Sequence, residues 1–107
     1  GYPRVIIQQT LLSLTKIGTG ISTARIKCQV KRESTDSSIV HWYMQKENEA
    51  IKRLLYIADL KPTYDPGIEE NKFDSDKNSD IYTLIIQQIR VEDAATYYCA
   101  NWDWDTQ

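Results

Sequence analysis

The chain predicts an all-β fold, a sandwich of two antiparallel sheets, on three observations. Short stretches alternate apolar and polar residues with a period of two. Polar or glycine-containing turns separate them. No window carries a sustained i, i+3, i+4 apolar pattern with caps at both ends, so helices contribute little.

Each element has its own reason. "VII" near the start is strand-sized, and "KIGTG" supplies two turn glycines before the next run. "ARIKCQV" sets Ala24, Ile26, Cys28 and Val30 on one face and Arg25, Lys27 and Gln29 on the other. The polar "KRESTDSS" follows it. "HWYMQ" and "KRLLYI" read as strands split by "KENEA". "DLKPTYDPGIEENK" reads as a long irregular connection and "DSDKNSD" as a polar turn. "YTLIIQQI" puts Tyr82, Leu84 and Ile86 together. "ATYYCAN" does the same for Ala95, Tyr97 and Cys99, with Thr96 and Tyr98 opposite. There is no repeat, low-complexity tract or linker, so residues 1–107 read as one domain.

Composition narrows the function. The chain of 107 residues is 41% hydrophobic and 26% charged, enough for one core. The formal net charge is -2, with basic residues scattered among acids, which argues against nucleic acid. No apolar run reaches bilayer length, so no direct membrane contact is expected of this domain. Cys28 and Cys99 are the only cysteines and lie far apart. Zinc sites use close pairs, so one disulfide in an oxidising, extracellular setting is the better reading. Two unpaired buried thiols are the alternative. A loop that long would contribute roughly 4 kcal/mol when closed.

One constellation is specific. Trp42 lies fourteen residues after Cys28, and "DAATYYC" places Asp93, Ala95, Tyr97 and Cys99 two apart. Over nearly the whole chain this resembles the variable-type (V-set) immunoglobulin domain, a Greek-key sandwich of two antiparallel sheets. The resemblance implies that the Cys28–Cys99 bridge joins the sheets and Trp42 packs on it. It implies that Tyr97 bonds back to nearby backbone as the tyrosine corner, and that Lys72 pairs with Asp93. With Leu84 these residues form the expected core and its polar lock.

Within that class, "VHWY" and "CANWD" are similar to T-cell receptor gamma chains. "DSDKNSD" stands where light chains carry "GSGSGT", and Glu47-Asn48-Glu49 replaces the usual Pro-Gly. An antibody light-chain variable domain, or another V-set adhesion or co-receptor domain, is the alternative.

The family usually pairs through the outward face of the sheet holding the Trp42 and Tyr97 strands. Alternation puts Tyr43, Gln45 and Tyr98 on that face, with Met44 pointing in. Ile51 falls where related domains place an apolar contact. The expected partner is a T-cell receptor delta chain. The resemblance also implies three recognition loops at one end of the sandwich, for a protein or MHC-like cell-surface antigen. The first, roughly Arg32 to Ile39, includes Glu33 and Asp36. The second, roughly Asp59 to Tyr64, includes Lys61. The third runs from Asn101 to the end and includes Trp102, Asp103 and Trp104. Signalling subunits would be reached only through other parts of a full receptor, which would also anchor it at the T-cell surface.

Catalysis and metals are not expected, and neither is a cofactor. Asp74, Asp76 and Asn78 have calcium-loop spacing, but the sixth and twelfth positions are Ser79 and Ile85 instead of Gly and Glu. His41 is the only histidine, and alternation points it away from the core. The acids of the "NWDWD" tail lack an activating partner. A complete domain would return as one more strand beside the Tyr97 strand. The sequence stops within or just after the third loop, so the expectation is that this strand is lacking and its edge is left open or covered by another chain.

Overall fold

A computed structural model of the chain describes residues 4–30, 39–58 and 60–103, with backbone alone at 4–7, 102 and 103. Among the described residues there are eight strands in two antiparallel sheets. The larger contains β1 (Arg4–Leu12), β3 (Ile39–Gln45), β4 (Lys52–Ile57), β5 (Pro62–Tyr64) and β8 (Ala95–Asp103), in the order β1-β8-β3-β4-β5. The smaller contains β2 (Thr23–Gln29), β6 (Phe73–Asn78) and β7 (Ile81–Gln87), in the order β2-β7-β6. A four-residue helix, α1 (Leu14–Ile17), is capped by the Ser13 side chain accepting from the Lys16 amide. A 3-10 turn at Val91–Asp93 leads into β8.

Alternation becomes burial in β2, where Ala24, Ile26 and Cys28 are buried and Arg25, Lys27 and Gln29 are exposed. Tyr82, Leu84 and Ile86 of β7 close over them from the same sheet. Trp42, Leu54, Leu55, Ile57, Tyr97 and Cys99 meet them from the larger sheet in one continuous core. Met44 is half-buried and packs at the edge of this core. The Cys28 and Cys99 sulfurs are bonded across the core, joining β2 to β8. Trp42 is paired in register with Cys99 and is only 1% exposed, so its ring lies in the same central layer as the bridge.

Three segments depart from the sequence reading. Asp74, Asp76 and Asn78 were expected in a turn, yet they lie in β6, paired with β7 from Phe73↔Ile86 to Asn78↔Ile81. Phe73 and Ser75 point inward and are buried, which overrides the low strand propensity of their neighbours. The turn itself shrinks to Ser79-Asp80, with Ser79 at φ 59. The irregular connection contains strand β5, followed by a turn at Asp65-Pro66-Gly67-Ile68. There the Ile68 amide donates to the Asp65 carbonyl, and Gly67 at φ 85 supplies the left-handed position of a type II turn.

The third departure concerns the edge beside β8. It was expected to be open or covered by another chain. It is covered within this chain by β1, antiparallel from Arg4↔Asp103 to Leu12↔Ala95. Strand-forming residues dominate β1, and its backbone satisfies groups that β8 would otherwise leave unpaired. Gln8 adds a tie to the other sheet, donating from Nε2 to the Gln29 carbonyl at 3.0 Å.

Candidate functional site

The framework around the bridge is locked by a polar cluster. Tyr97 is fully buried, and its hydroxyl donates to the Asp93 carbonyl at 2.8 Å. Burial, with the Asp93 charge second, pushes its phenol far above the usual range, so it stays a donor. The buried Asp93 carboxylate accepts from Lys72 Nζ at 2.6 Å and from the Arg90 amide at 2.8 Å. Lys72 also donates to the Gln88 carbonyl at 2.9 Å. Two donors thus compensate a carboxylate that would be costly to bury alone.

The outward face of the larger sheet is set by the same alternation. On β8, Tyr97 and Cys99 point in, so Tyr98 points out. It sits opposite Tyr43 of β3, and Thr96 sits opposite Gln45. The Tyr98 hydroxyl donates to Gln45 Oε1 at 3.2 Å, and Gln45 Nε2 donates to the Glu49 carbonyl at 3.2 Å. Gln45 is therefore held in place by both contacts. Ile51, just before β4, is 51% exposed. The structure thus puts Tyr43, Gln45 and Tyr98 on one half-buried face, with Ile51 exposed near its margin.

That face continues into a cluster the sequence reading did not assemble. A β-bulge between β3 and β4 sets Trp42 opposite Leu55 but Tyr43 opposite Arg53, so Leu54 is the extra residue. Leu54 and Leu55 are consecutive and both buried. The bulge thereby returns Arg53 and Tyr56, three apart, to the same outer face. Arg53 Nε pairs with Asp65 Oδ1 at 2.8 Å, and its Nη1 reaches His41 Nδ1 at 3.2 Å. Its guanidinium lies 4.9 Å from the centre of the Tyr56 ring. The His41 ring stacks on Tyr43 with centroids 6.3 Å apart and tilts against Tyr56 at 5.7 Å.

Burial and then the Arg53 charge lower the His41 pKa below its usual 6.5, with Asp65 opposing. A neutral ring whose Nδ1 accepts from the guanidinium fits this setting, and it leaves the proton on Nε2. The outward direction of His41 was legible from alternation. The signal for Arg53 and Tyr56 was the Leu54-Leu55 pair, which breaks the period of two.

The strand ends leading to the three expected loops converge. Val40 is in register with both Ile57 and Asn101, and Ile57 is in register with Pro62. Arg32, Glu33, Asp36, Asp59 and Trp104 lie outside the described residues. Lys61 is exposed beside β5. Two other loop assignments need correction. Asn101 belongs to β8 and is buried, because that strand runs on to Asp103 between β1 and β3. Trp102 and Asp103 are also strand positions there. Tyr64 lies in β5, packs against the core and donates its hydroxyl to the Phe73 carbonyl at 2.7 Å, which ties β5 to β6. Burial and the nearby Asp74 and Glu70 raise its pKa.

Bridge, central tryptophan, tyrosine corner and paired sheets together define a variable-type immunoglobulin domain. The family model for the immunoglobulin V-set domain matches residues 21–106. The human "Probable non-functional T cell receptor gamma variable 10" is 38% identical over 73% of this chain and 69% of its own length. A Mus musculus T-cell receptor gamma chain V region is 34% identical over 90% of this chain and 71% of its own. A solved "Marsupial T cell receptor" chain superposes with a TM-score of 0.70 at 27% identity, covering 95% of this chain and 46% of that one. The chain thus spans about half the length of that solved chain. It belongs to the T-cell receptor gamma variable family of V-set domains. Such variable domains are extracellular parts of cell-surface receptors. Among the described residues no helix is long and apolar enough to cross a membrane.

Proposed function

We propose that this domain is the antigen-recognition module of a gamma-delta T-cell receptor and performs no chemistry. It pairs with a delta variable domain through the outer face of β8, β3 and β4. It binds a protein or MHC-like cell-surface ligand through the loops at the Ile39–Asp103 end. In a full receptor it sits at the T-cell surface.

The observation that carries the pairing claim is the Tyr43–Tyr98 pair held beside Gln45, on a face that continues through His41, Arg53 and Tyr56. Aromatic rings with polar tips, half-buried before any partner arrives, suit a surface that must be stable both free and bound. Tyrosine and arginine are also the residue types that dominate interface energetics.

The test is calorimetric titration with a delta variable domain. Tyr43→Ala and Tyr98→Ala should each weaken association by about thirtyfold, as hot-spot truncations near 2 kcal/mol do. No heat of binding at tens of micromolar, or binding that ignores both substitutions, rejects the proposal.

A further inference from the structure

On the reading of the outer face of β8, β3 and β4 as the partner surface, we infer that pairing there is pH-dependent and that His41 is its sensor. The partner domain docks on the neutral imidazole and is released by acid. His41 is the only histidine in the chain, so no other side chain here has an ordinary pKa between about pH 5 and pH 8.

His41 sits inside a linked cluster. On its own strand, β3, the ring stacks on Tyr43 with centroids 6.3 Å apart. From β4, Arg53 Nη1 reaches Nδ1 at 3.2 Å, and the Tyr56 ring lies at 5.7 Å. Just after β5, Asp65 holds Arg53 Nε at 2.8 Å. On β8 the residue in register is Ala100, which carries no charge. Among the described residues, Arg53 and Asp65 are therefore the charged groups that act on the imidazole.

Nδ1 can accept from a guanidinium only while it carries no proton of its own. Protonation removes that acceptor and sets two positive charges against each other. The one nearby carboxylate is already engaged by Arg53 Nε. The ring or the guanidinium must then move. Either movement disturbs the same surface, because the ring touches Tyr43 and Tyr56 and the guanidinium lies 4.9 Å from the Tyr56 ring centre. Desolvation sets the direction of the coupling. A docked partner takes water from this half-buried face, which raises the cost of a second cation. The complex therefore binds a proton at His41 less readily than the free domain does. Affinity is full while His41 is neutral in the free domain. It falls as the pH drops through the free-domain pKa, by at most about tenfold per pH unit for one proton.

Calorimetric titration with a delta variable domain, from about pH 7.5 to about pH 5 at fixed ionic strength, tests this. Near-ultraviolet circular dichroism should show each protein folded throughout. Kd should rise about tenfold or more across that range. Binding in mildly acidic buffer should release protons, read from the dependence of the heat on buffer ionisation enthalpy. His41→Asn keeps an acceptor beside Arg53 and does not titrate, so it should cut the change in Kd to about twofold or less and abolish the proton release. His41→Gln is a second variant that does not titrate, in case asparagine disturbs β3. Arg53→Ala removes the opposing charge, so its loss of affinity in acid should be smaller and begin at higher pH. In the domain alone, NMR signals of Arg53 Nε and the Tyr56 ring should shift with the His41 midpoint. Absence of binding at neutral pH removes the partner-face reading and this inference with it. Binding at neutral pH that is unchanged or tighter in acid overturns the inference alone. So does a pH dependence that survives in both histidine variants.

Discussion

Adjacent tyrosines on β8 should respond unequally to the same small change. Tyr97→Phe and Tyr98→Phe each remove one hydroxyl oxygen. The Tyr97 hydroxyl is in a fully buried side chain and donates to the Asp93 carbonyl at 2.8 Å. Removing it strands that carbonyl next to a buried carboxylate, and a buried group left unsatisfied costs about 1–3 kcal/mol. The Tyr98 hydroxyl sits on a half-buried face at 3.2 Å from Gln45, where water can replace it. Its loss should cost about 0.5 kcal/mol or less. In a domain of this size the first change lowers Tm by about 4–8 °C per kcal/mol. Urea unfolding with the disulfide intact is the assay, and both variants should keep the wild-type m-value. Equal losses, or a larger loss for Tyr98→Phe, would refute the inward–outward assignment on which the partner face depends.

Further outcomes follow from the same structure. Replacing Cys28 and Cys99 together by alanine should cost about 4 kcal/mol from loop entropy, measured by urea titration of the oxidised and substituted proteins. Asp93→Ala should destabilise more than Lys72→Ala, because Asp93 serves two donors from a buried site while Lys72 keeps partial access to water. His41 should titrate below 6.5 by NMR, and Arg53→Ala should raise its pKa by removing a lowering charge. The unfolded chain then takes up this proton more readily than the folded one. Stability should be full above about pH 6.5 and fall as pH drops toward the lowered pKa.

Much of the framework was legible because its constraints are local or spaced along the chain. Cys28, Trp42, Tyr97 and Cys99 announce themselves by type and interval. The β2, β7 and β8 faces follow from simple alternation, which a half-buried strand enforces. The departures share a cause, in that each is set by the strand a segment pairs with and not by the segment's own residues. β6 reads as a turn until β7 supplies its ladder. Arg53 and Tyr56 share a face only because the bulge against β3 inserts Leu54. The destination of β1 could not be read at all, since strand propensity does not say which edge a strand will cover.

The central claim is that the outer face of β8, β3 and β4 is the partner surface. NMR of the labelled domain titrated with an unlabelled delta variable domain tests it most directly. Side-chain signals of Tyr43, Tyr98, His41 and Ile51 should shift together with saturation, while Arg25, Lys27 and Ile85 of the smaller sheet stay unchanged. Shifts concentrated on β2, β7 and β6, with the Tyr43 and Tyr98 rings undisturbed, would contradict it.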